Sequence, residues 1–600
     1  MNEIQRLPKR EEVAVGDTWD LSGLFKDDEA WEAEFVEFEK QATGYEKFQG
    51  RLGESVDVLL ECLQFDNDLD LLGERLGTYA FLRSAEDQAN GDYQRMVGRF
   101  QSVAVRAGEA GSYIRPEILG LSDDTLESYL NDEKLSLFKL SLERLVRYKP
   151  YTLSEREEQL LAMQGEMAGA TSKIFRQLTD ADLKFGIVEN EEGEKIELSQ
   201  ATFMQFLISP SRDVRKNAFH QFYDQFEAHE NSLAATFNGS VQKDVYYARA
   251  RGYDSALDQA LFADDVPVSV YENLISTVRE NLPALYRYYD LRRRKMDLPD
   301  IRHYDTYVPI LSDIKTEYSW DQAVEVVCES LTPLGTEYCN TLHNGLSKRW
   351  CDRYPNDGKQ SGAFSAGGFV GDPYILMNYK PKVLNDVFTL THEAGHSMHT
   401  HYSSNHQPYQ YYNYTIFVAE VASTFNEQLL NRHMIDNAPD DRMRAYLINS
   451  EIDDIRATII RQTMFAEFEK TTHEMVEAGE PLTVEALKST YHQLLKDYFG
   501  PEFELDEQLS LECLRIPHFY RAFYVYKYAT GLSAAIALSQ RVLTGGEKEL
   551  NDYLSFLKSG CSKYPLELLK DAGVDLTTPA PITTALQKFD SLVNELDQLI

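Results

Sequence analysis

Residues 388–402, FTLTHEAGHSMHTHY, place two histidines, His392 and His396, four positions apart, and Glu393 directly follows the first of them. Residues four apart lie on one face of an α-helix, so both imidazoles can reach a single Zn²⁺. Glu393 then stands beside the remaining coordination position, where a carboxylate can take a proton from water. The stretch therefore predicts a helix that carries a catalytic zinc site. The alternative is a chance cluster of histidines on a helix.

The sequence around the motif indicates where this helix begins and how it packs. We expect it to start near Asn385 or Asp386, because either side chain can cap a helix, and Pro381 ends the extended segment before it. The predicted packing face is a narrow apolar stripe on the side opposite the two histidines, formed by Val387, Leu390, Ala394 and Met398.

A catalytic zinc usually has three protein ligands, so a third must come from elsewhere. The long metzincin motif would need glycine at position 399 and histidine at 402, where this chain has His399 and Tyr402. Downstream, TIFVAEVASTFNEQLL (415–430) predicts a second amphipathic helix that packs through Val418, Ala422, Phe425 and Leu429. Its opposite face makes Glu420 the candidate third ligand and Glu427 a carboxylate that supports the ligands from behind.

Together, THEAGHSMH and FVAEVASTFNE resemble the two metal-site helices of oligoendopeptidase F, in the thimet oligopeptidase superfamily of zinc peptidases. Weaker similarity extends over most of the chain and includes TWDLSGLFKDDEAWE, ILMNY and RIPHFYRAFYVYKYATG. The resemblance implies one Zn²⁺ per chain in a gluzincin-like site, held by His392, His396 and Glu420, with Glu393 as general base and acid. It also implies a mainly α fold, in which a two-lobed helical shell encloses a deep channel and a small β element lies near the active site.

The late segment RIPHFYRAFYVYKYATG (515–531) spaces Tyr520, Tyr524 and Tyr528 four residues apart, with His518 at the head of the row. This spacing predicts one helical stripe of phenols, for which core packing is the ordinary explanation. The resemblance instead implies that His518 and a tyrosine donate hydrogen bonds to the oxyanion of the tetrahedral intermediate. We rank Tyr528 and Tyr524 above Tyr520 and Tyr526 for this role.

The glycine-rich segment SGAFSAGGFVGDPYILMNYKPK (361–382) predicts one or two short strands with closely approachable backbone. Gly367, Gly368 and Tyr374 are candidate substrate-binding residues if an edge strand here pairs with a peptide backbone. A plain structural turn is the alternative. A phosphate loop is excluded, because no Gly-Lys-Ser/Thr follows. We expect His399 to support the zinc site from behind or to lie at the surface, rather than to add a ligand.

The rest of the chain is predominantly helical in pattern. Apolar residues recur every three or four positions from Asp28 to about residue 200, and two alternating runs around Glu-Gly-Glu predict a small hairpin near residues 183–199. We predict an N-terminal helical lobe (1–110), a helical segment with the hairpin (111–200) and a catalytic domain (201–600).

The composition of the chain restricts the classes of partner and the cellular locations that we expect for it. The chain has 600 residues, 43% of them hydrophobic, and a formal net charge of −37, which disfavours nucleic acid and anionic lipid surfaces. We find neither an apolar signal segment at the start nor a run of about 18 apolar residues, so we expect no export and no membrane span. The six cysteines are scattered without a C-x-x-C pair, as in a reduced cytoplasmic protein.

The resulting hypothesis is a cytoplasmic zinc-dependent endopeptidase that hydrolyses internal bonds of short oligopeptides. One alternative is a helical zinc carboxypeptidase, which would also need to bind a free C-terminal carboxylate. Another is a non-catalytic peptide-binding protein with structural zinc. Structural zinc sites usually have four protein ligands, whereas three ligands with an adjacent base are typical of an open catalytic site.

Overall fold

A computed structural model describes residues 6–311, 314 and 316–600 of the chain. The mainly α fold predicted from the sequence is confirmed. The helices of the first half are α1 (Asp28–Gln41), α2 (Val56–Glu86), α3 (Gly91–Gly111), α4 (Ile114–Leu119), α5 (Asp123–Leu130), α6 (Lys139–Val146), α7 (Glu155–Met163), α8 (Gly165–Ala168), α9 (Ala170–Arg176), α10 (Gln200–Leu207), α11 (Arg212–Ala228), α12 (Glu230–Arg251), α13 (Ala256–Phe262) and α14 (Val268–Lys295).

The helices of the second half are α15 (Trp320–Ser330), α16 (Thr336–Ser347), α17 (Leu384–His406), α18 (Tyr409–Tyr412), α19 (Ile416–Asp436), α20 (Asp441–Ile455), α21 (Arg461–Glu477), α22 (Val484–Phe499), α23 (Tyr526–Thr544), α24 (Glu547–Lys558), α25 (Pro565–Asp571) and α26 (Ala580–Leu599). Within the described ranges, none of these helices is both long enough and apolar enough to span a bilayer.

The chain divides into two compact units, each assembled from three separate segments. The first unit comprises the described residues of Met1–Thr152, Lys315–His433 and Leu538–Gly573, and the second comprises those of Leu153–Ile314, Met434–Ala537 and Val574–Ile600. The boundaries between these units do not coincide with the predicted domain boundaries, at residues 110 and 200. The three predicted domains stay predictions, and so does the deep channel.

Two small sheets interrupt the helices. In the second unit, β1 (Ile187–Glu189) and β2 (Lys195–Glu197) form the predicted antiparallel hairpin, and Gly193 takes the left-handed conformation that its turn requires, with φ 79°. In the first unit, β3 (Cys351–Asp352), β4 (Phe364–Ala366) and β5 (Tyr374–Leu376) form a sheet in the order β3-β5-β4.

The three-stranded sheet lies directly before α17 in the chain and contributes to the core of the first unit. Strand β5 pairs parallel with β3 and antiparallel with β4, in a register that sets Ser365 opposite Ile375. Aromatic and aliphatic side chains of α1–α3 pack in the same hydrophobic cluster as Tyr374 and Leu376 of β5. The N-terminal helices therefore cover the sheet that precedes α17, the metal-motif helix, which carries His392, Glu393 and His396.

Helix α17 carries the predicted motif, and its apolar stripe is confirmed. Val387, Leu390, Ala394 and Met398 are all 0% exposed. Helix α17 begins at Leu384, close to the predicted start, but the predicted cap is wrong, because the N-cap residue is Val383 and makes no side-chain capping bond. Asp386 instead lies in the first turn and accepts a hydrogen bond from the backbone N–H of Lys380 at 2.7 Å.

The single helix predicted for the late tyrosine segment is also wrong. Pro517–Tyr520 forms a short 3₁₀ turn, and α23 begins only at Tyr526. Between them, Phe523 has φ 55°, a left-handed conformation that cannot continue an α-helix. The four-residue spacing of the tyrosines therefore does not place all three on one helix face.

Candidate active site

The candidate site is built where helices α17 and α19 cross with their backbones close together. A Cβ atom on Gly395 would lie 2.5 Å from the Cα of Ser423 and 2.6 Å from the carbonyl oxygen of Ala422. Real Cβ atoms do not approach backbone atoms so closely, so glycine is required at this crossing. The small residues of the two helices allow the faces that carry His392, His396 and Glu420 to meet.

Three donor atoms converge at this crossing. The Nε2 atoms of His392 and His396 lie 3.2 Å apart, and Glu420 Oε2 lies 3.2 Å from the first and 3.4 Å from the second. In the described part of the chain, these residues are the one group of three or more potential ligands whose donor atoms lie within 4.8 Å of one another. The structure thus brings together the three predicted ligands.

The donor set fits a zinc ion in both geometry and chemistry. Zinc binds imidazole nitrogen and carboxylate oxygen at about 2.0–2.2 Å in tetrahedral sites, so its ligand atoms lie about 3.3–3.6 Å from each other. The three observed separations, 3.2, 3.2 and 3.4 Å, are close to the edges of such a tetrahedron. Three protein donors leave one coordination position for water or substrate.

Two polar contacts orient the candidate ligands. Glu427 Oε1 lies 2.9 Å from Nδ1 of His392, so the predicted supporting carboxylate stands on the far side of that ring from the donor atom Nε2. Ser423 Oγ donates a hydrogen bond to Glu420 Oε2 at 3.0 Å. A carboxylate on Nδ1 fixes the ring so that Nε2 is presented to the metal.

The electrostatics of the cluster favour positive charge at its centre. Burial lowers the pKa of His392, but hydrogen bonds with Glu420 and Glu427 outweigh this effect and raise the pKa to about 10. Burial raises the pKa of Glu420, but hydrogen bonds with His392 and His396 hold it far below its usual range. The carboxylates that favour a positively charged His392 would also favour a bound cation between the three donor atoms.

Glu393 lies beside the donor triangle and is 7% exposed. Burial raises the pKa of its carboxyl, while His392, His396 and a backbone hydrogen bond from Ser365 lower it in part. A carboxylate with a raised pKa is a stronger base near neutral pH. Ser365 also bonds to α17 through its side chain, with its Oγ 2.8 Å from Oγ of Ser397, and so ties β4 to the metal-motif helix.

His399 is a core residue of the first unit. It is 1% exposed, and its ring stacks on Tyr414 with centroids 3.6 Å apart and planes 1° from parallel. Burial lowers its pKa to about 3, so the ring is neutral. The hydroxyl of Tyr414 lies 3.5 Å from the carbonyl oxygen of His396, so the ring that stacks on His399 also contacts a candidate ligand.

The structure explains the candidate substrate-binding glycines by packing and does not support Tyr374. A Cβ on Gly367 would lie 2.8 Å from Cγ2 of Thr400, and one on Gly368 would lie 2.7 Å from Oε1 of Glu74. Tyr374 lies in β5 with 0% exposure, in the core cluster shared with α1–α3, so its side chain cannot contact a substrate. The predicted edge strand itself is present as β4.

In the second unit, the structure gathers His518 with two of the four candidate tyrosines. The ring of His518 lies 6.4 Å from that of Tyr524 and 6.0 Å from that of Tyr528, and the two tyrosine rings are 5.3 Å apart. Tyr520 has a different partner, since its hydroxyl forms a hydrogen bond with that of Thr236 at 2.8 Å. Tyr526 is 0% exposed. Tyr524 and Tyr528 are therefore the candidate tyrosines whose rings lie near His518, and their role in binding the oxyanion stays a prediction.

Sequence reasoning missed Gly395 and Ser365. The signal for Gly395 was present, because a glycine between two ligand histidines faces small residues in the second predicted helix, at Ala422 and Ser423. No sequence signal marked Ser365, whose role depends on the pairing of β4 with β5 and on its contact with α17.

Comparison with known proteins gives consistent matches along the chain. The family model described as Peptidase family M3 matches residues 205–588, and the model described as Oligopeptidase F matches residues 117–185. Oligopeptidase PepF of Bacillus subtilis is 42% identical over 600 residues, which cover 100% of this chain and 89% of the relative. An oligoendopeptidase F homolog of Borreliella burgdorferi is 39% identical, with 98% of this chain and 99% of the relative covered.

Solved structures agree with these relatives. A putative peptidase from Chlamydophila abortus superposes with a TM-score of 0.95 at 34% identity, covering 99% of this chain and 100% of that one. Oligoendopeptidase-F from Enterococcus faecium has a TM-score of 0.72 at 34% identity, covering 96% and 99% of the two chains.

The fold and the site define the protein as a metalloendopeptidase. The alternatives of a carboxypeptidase and of a non-catalytic binding protein are accordingly set aside. The chain belongs to peptidase family M3, as an oligopeptidase whose substrates are peptides.

Proposed function

We propose that the chain hydrolyses internal bonds of short oligopeptides with one zinc ion held by His392, His396 and Glu420. The observation that carries the proposal is the triangle of donor atoms, with separations of 3.2, 3.2 and 3.4 Å. When bound, zinc supplies a Lewis acid that polarises the scissile carbonyl and lowers the pKa of a water molecule.

Glu393 acts in this proposal as general base and then as general acid. Its carboxylate accepts a proton from the attacking water and later delivers a proton to the leaving amine. Its place directly after His392, its 7% exposure and its raised pKa support this role. Glu427 holds the His392 ring through Nδ1, at 2.9 Å.

We further propose that His518 steadies the oxyanion together with Tyr528 or Tyr524. Donors aimed at a developing negative charge contribute strongly to catalysis of acyl transfer. Two findings support the assignment: the mutual contacts of the three rings, and the separate partners of Tyr520 and Tyr526. Tyr526 in particular packs against Tyr271, with ring centroids 5.2 Å apart.

The edge strand β4 is the proposed binding element for the peptide backbone. It pairs with β5 on one side, and the Ser365 backbone bonds to the carboxyl of Glu393. An extended peptide that adds to such an edge gains main-chain hydrogen bonds that do not depend on its sequence. In this proposal Gly367 and Gly368 contribute backbone only.

The test separates metal binding from chemistry. Glu393→Gln should keep about one Zn²⁺ per chain but lose about 10²–10⁴-fold in kcat, because the amide cannot accept the proton. Zinc is measured by elemental analysis, and cleavage by mass spectrometry of a peptide with a C-terminal amide. Chelation of the wild type should abolish cleavage, and added Zn²⁺ should restore it. A Glu393→Gln variant with wild-type turnover would exclude the proposed base.

A further inference from the structure

The turn that gathers the His518, Tyr524 and Tyr528 rings contains a sterically unfavourable residue. Phe523 has φ 55°, and the only other non-glycine residues with positive φ in the described part of the chain are Asp265 and Asp297. Aspartate visits this region several times more readily than most residues, whereas a bulky side chain is a genuine outlier there. Such a conformation persists only where the surroundings impose it.

A buried carboxyl supplies part of that constraint. Oε1 of Glu469, on α21, accepts a hydrogen bond from the backbone N–H of Phe523 at 3.0 Å. Both residues are buried, and Glu469 is 0% exposed. Burial raises the pKa of Glu469 well above its usual range. A glutamine side chain has nearly the same shape as this carboxyl and keeps an oxygen that can accept the Phe523 amide.

Aromatic packing holds the side chain of Phe523 against the same helix. Its ring centroid lies 4.5 Å from that of His473 and 5.9 Å from that of Tyr271. His473 is tied to Glu469 in turn, because its Nδ1 lies 2.7 Å from the backbone oxygen of that residue. One turn of α21 therefore contacts both the backbone and the ring of Phe523.

The conformation of Phe523 decides where the next residues point. It lies between the 3₁₀ turn Pro517–Tyr520, which carries His518, and the start of α23 at Tyr526. A right-handed conformation at residue 523 would send Tyr524 in another direction, away from its contacts with His518 and Tyr528. The arrangement of the three rings thus depends on the left-handed residue.

We propose that Glu469 is a positioning residue for the oxyanion-binding side chains. By accepting the Phe523 amide, it holds the left-handed turn that brings His518, Tyr524 and Tyr528 together. The inference rests on the proposed role of these three residues. Glu469 itself touches neither substrate nor metal in this scheme.

The experiment compares an apolar replacement with a conservative one. Glu469→Leu removes the acceptor, so kcat should fall by about 10–100-fold, because a displacement of about 1 Å costs on that order. Glu469→Gln keeps an acceptor for the Phe523 amide and should retain kcat within about twofold. In both variants KM should stay close to that of the wild type. Zinc stoichiometry should also be unchanged, because Glu469 is not one of the three proposed ligands.

A second measurement reports on the transition state. A phosphinic peptide carries a tetrahedral oxyanion, and its inhibition constant should rise in Glu469→Leu by the factor lost from kcat/KM, while binding of a product peptide stays unchanged. A purely structural role for Glu469 would lower the amount of active enzyme, measured by titration with the inhibitor, without changing the inhibition constant. If Glu469→Leu does not fold, Glu469→Met takes its place, since methionine fits irregular cavities.

Further variants distinguish the positioning role of Glu469 from the proposed oxyanion role of His518, Tyr524 and Tyr528. If His518→Ala and the double variant Tyr524→Phe/Tyr528→Phe keep wild-type kcat, the oxyanion assignment fails, and the positioning role fails with it. If those variants lose kcat but Glu469→Leu keeps it, only the positioning role is overturned. A loss of kcat in Glu469→Gln equal to that in Glu469→Leu also overturns it, because the hydrogen bond to Phe523 survives in the glutamine variant.

Discussion

Two glutamates of α19 contact the same histidine at different atoms, and this separates their roles. Glu420 Oε2 lies 3.2 Å from Nε2 of His392, on the side where the three donor atoms converge. Glu427 Oε1 lies 2.9 Å from Nδ1, on the opposite side of the ring. These positions support the proposed roles, in which Glu420 binds the metal and Glu427 orients His392.

Substitution of the two glutamates should give zinc losses of different size. Glu420→Gln should weaken zinc binding by more than about 100-fold, because a direct carboxylate ligand is lost, whereas Glu427→Gln should cost about 10–100-fold through the loosened imidazole. Competition with a chromogenic chelator measures both affinities. A larger loss for Glu427→Gln than for Glu420→Gln would exchange the two assignments.

The crossing of α17 and α19 is the feature of secondary structure on which the site depends. Gly395 admits the backbone of Ser423 at a distance that no side chain allows, and the ligands extend from the turns next to this contact. Any outward shift of either helix would lengthen the distances from Glu420 to both histidines. The spacing of the two helices and the separation of the three donor atoms are therefore coupled through one residue, Gly395.

Gly395→Ala should increase the spacing between α17 and α19 and weaken zinc binding. The added methyl forces the two backbones apart, at an expected cost of about 1–3 kcal/mol in stability, and zinc affinity should fall as the donor triangle widens. Gly98→Ala is the matched control, because Gly98 lies in α3 with open space around its Cβ position. That control should be neutral or stabilising by about 0.5–1 kcal/mol. Thermal unfolding and zinc titration measure both variants, and equal behaviour of the two would show that the crossing tolerates a side chain.

At the scale of the whole molecule, the proposed pairing of a peptide with β4 implies a requirement for extended substrates. A peptide that adds to β4 must present several residues of free backbone, which a folded domain supplies only when it opens. Stable domains are globally unfolded for roughly 10⁻³ of the time or less. A sequence within such a domain should therefore be a far poorer substrate than the same sequence free in solution.

The comparison uses one cleavable sequence in two contexts. A free peptide of about ten residues should be cut efficiently, while the same residues grafted into a tight loop of a stable domain should be cut at least about 100-fold more slowly. Mass spectrometry of both at equal concentration gives the rates. Adding a destabilising core substitution to the host domain should raise its cleavage rate. Equal rates for the free and grafted sequences would contradict the extended-substrate model.

Local sequence was sufficient for the two helices of the candidate site and for the choice of the three residues whose donor atoms converge there. The apolar stripe of α17 and the four-residue spacing of His392 and His396 depend only on the period of a helix, which the chain carries in its own order. The same holds for Glu420 and Glu427, which the amphipathic pattern of the second helix placed on one face. The hairpin β1-β2 followed likewise from alternation around Gly193.

Contacts between distant segments of the chain decided the features that local sequence did not predict. The four-residue period predicted one helix for the tyrosines, but Phe523 interrupts it in a left-handed conformation, with its backbone N–H donating a hydrogen bond to Glu469, 54 residues earlier. Tyr374 looked accessible in an extended segment and is buried beneath helices from the start of the chain. The separations of the three donor atoms likewise depend on how closely two helix backbones approach. Spacing along a chain encodes which residues share a face, whereas the distance between faces is set by packing, so only the folded structure defines the site geometry.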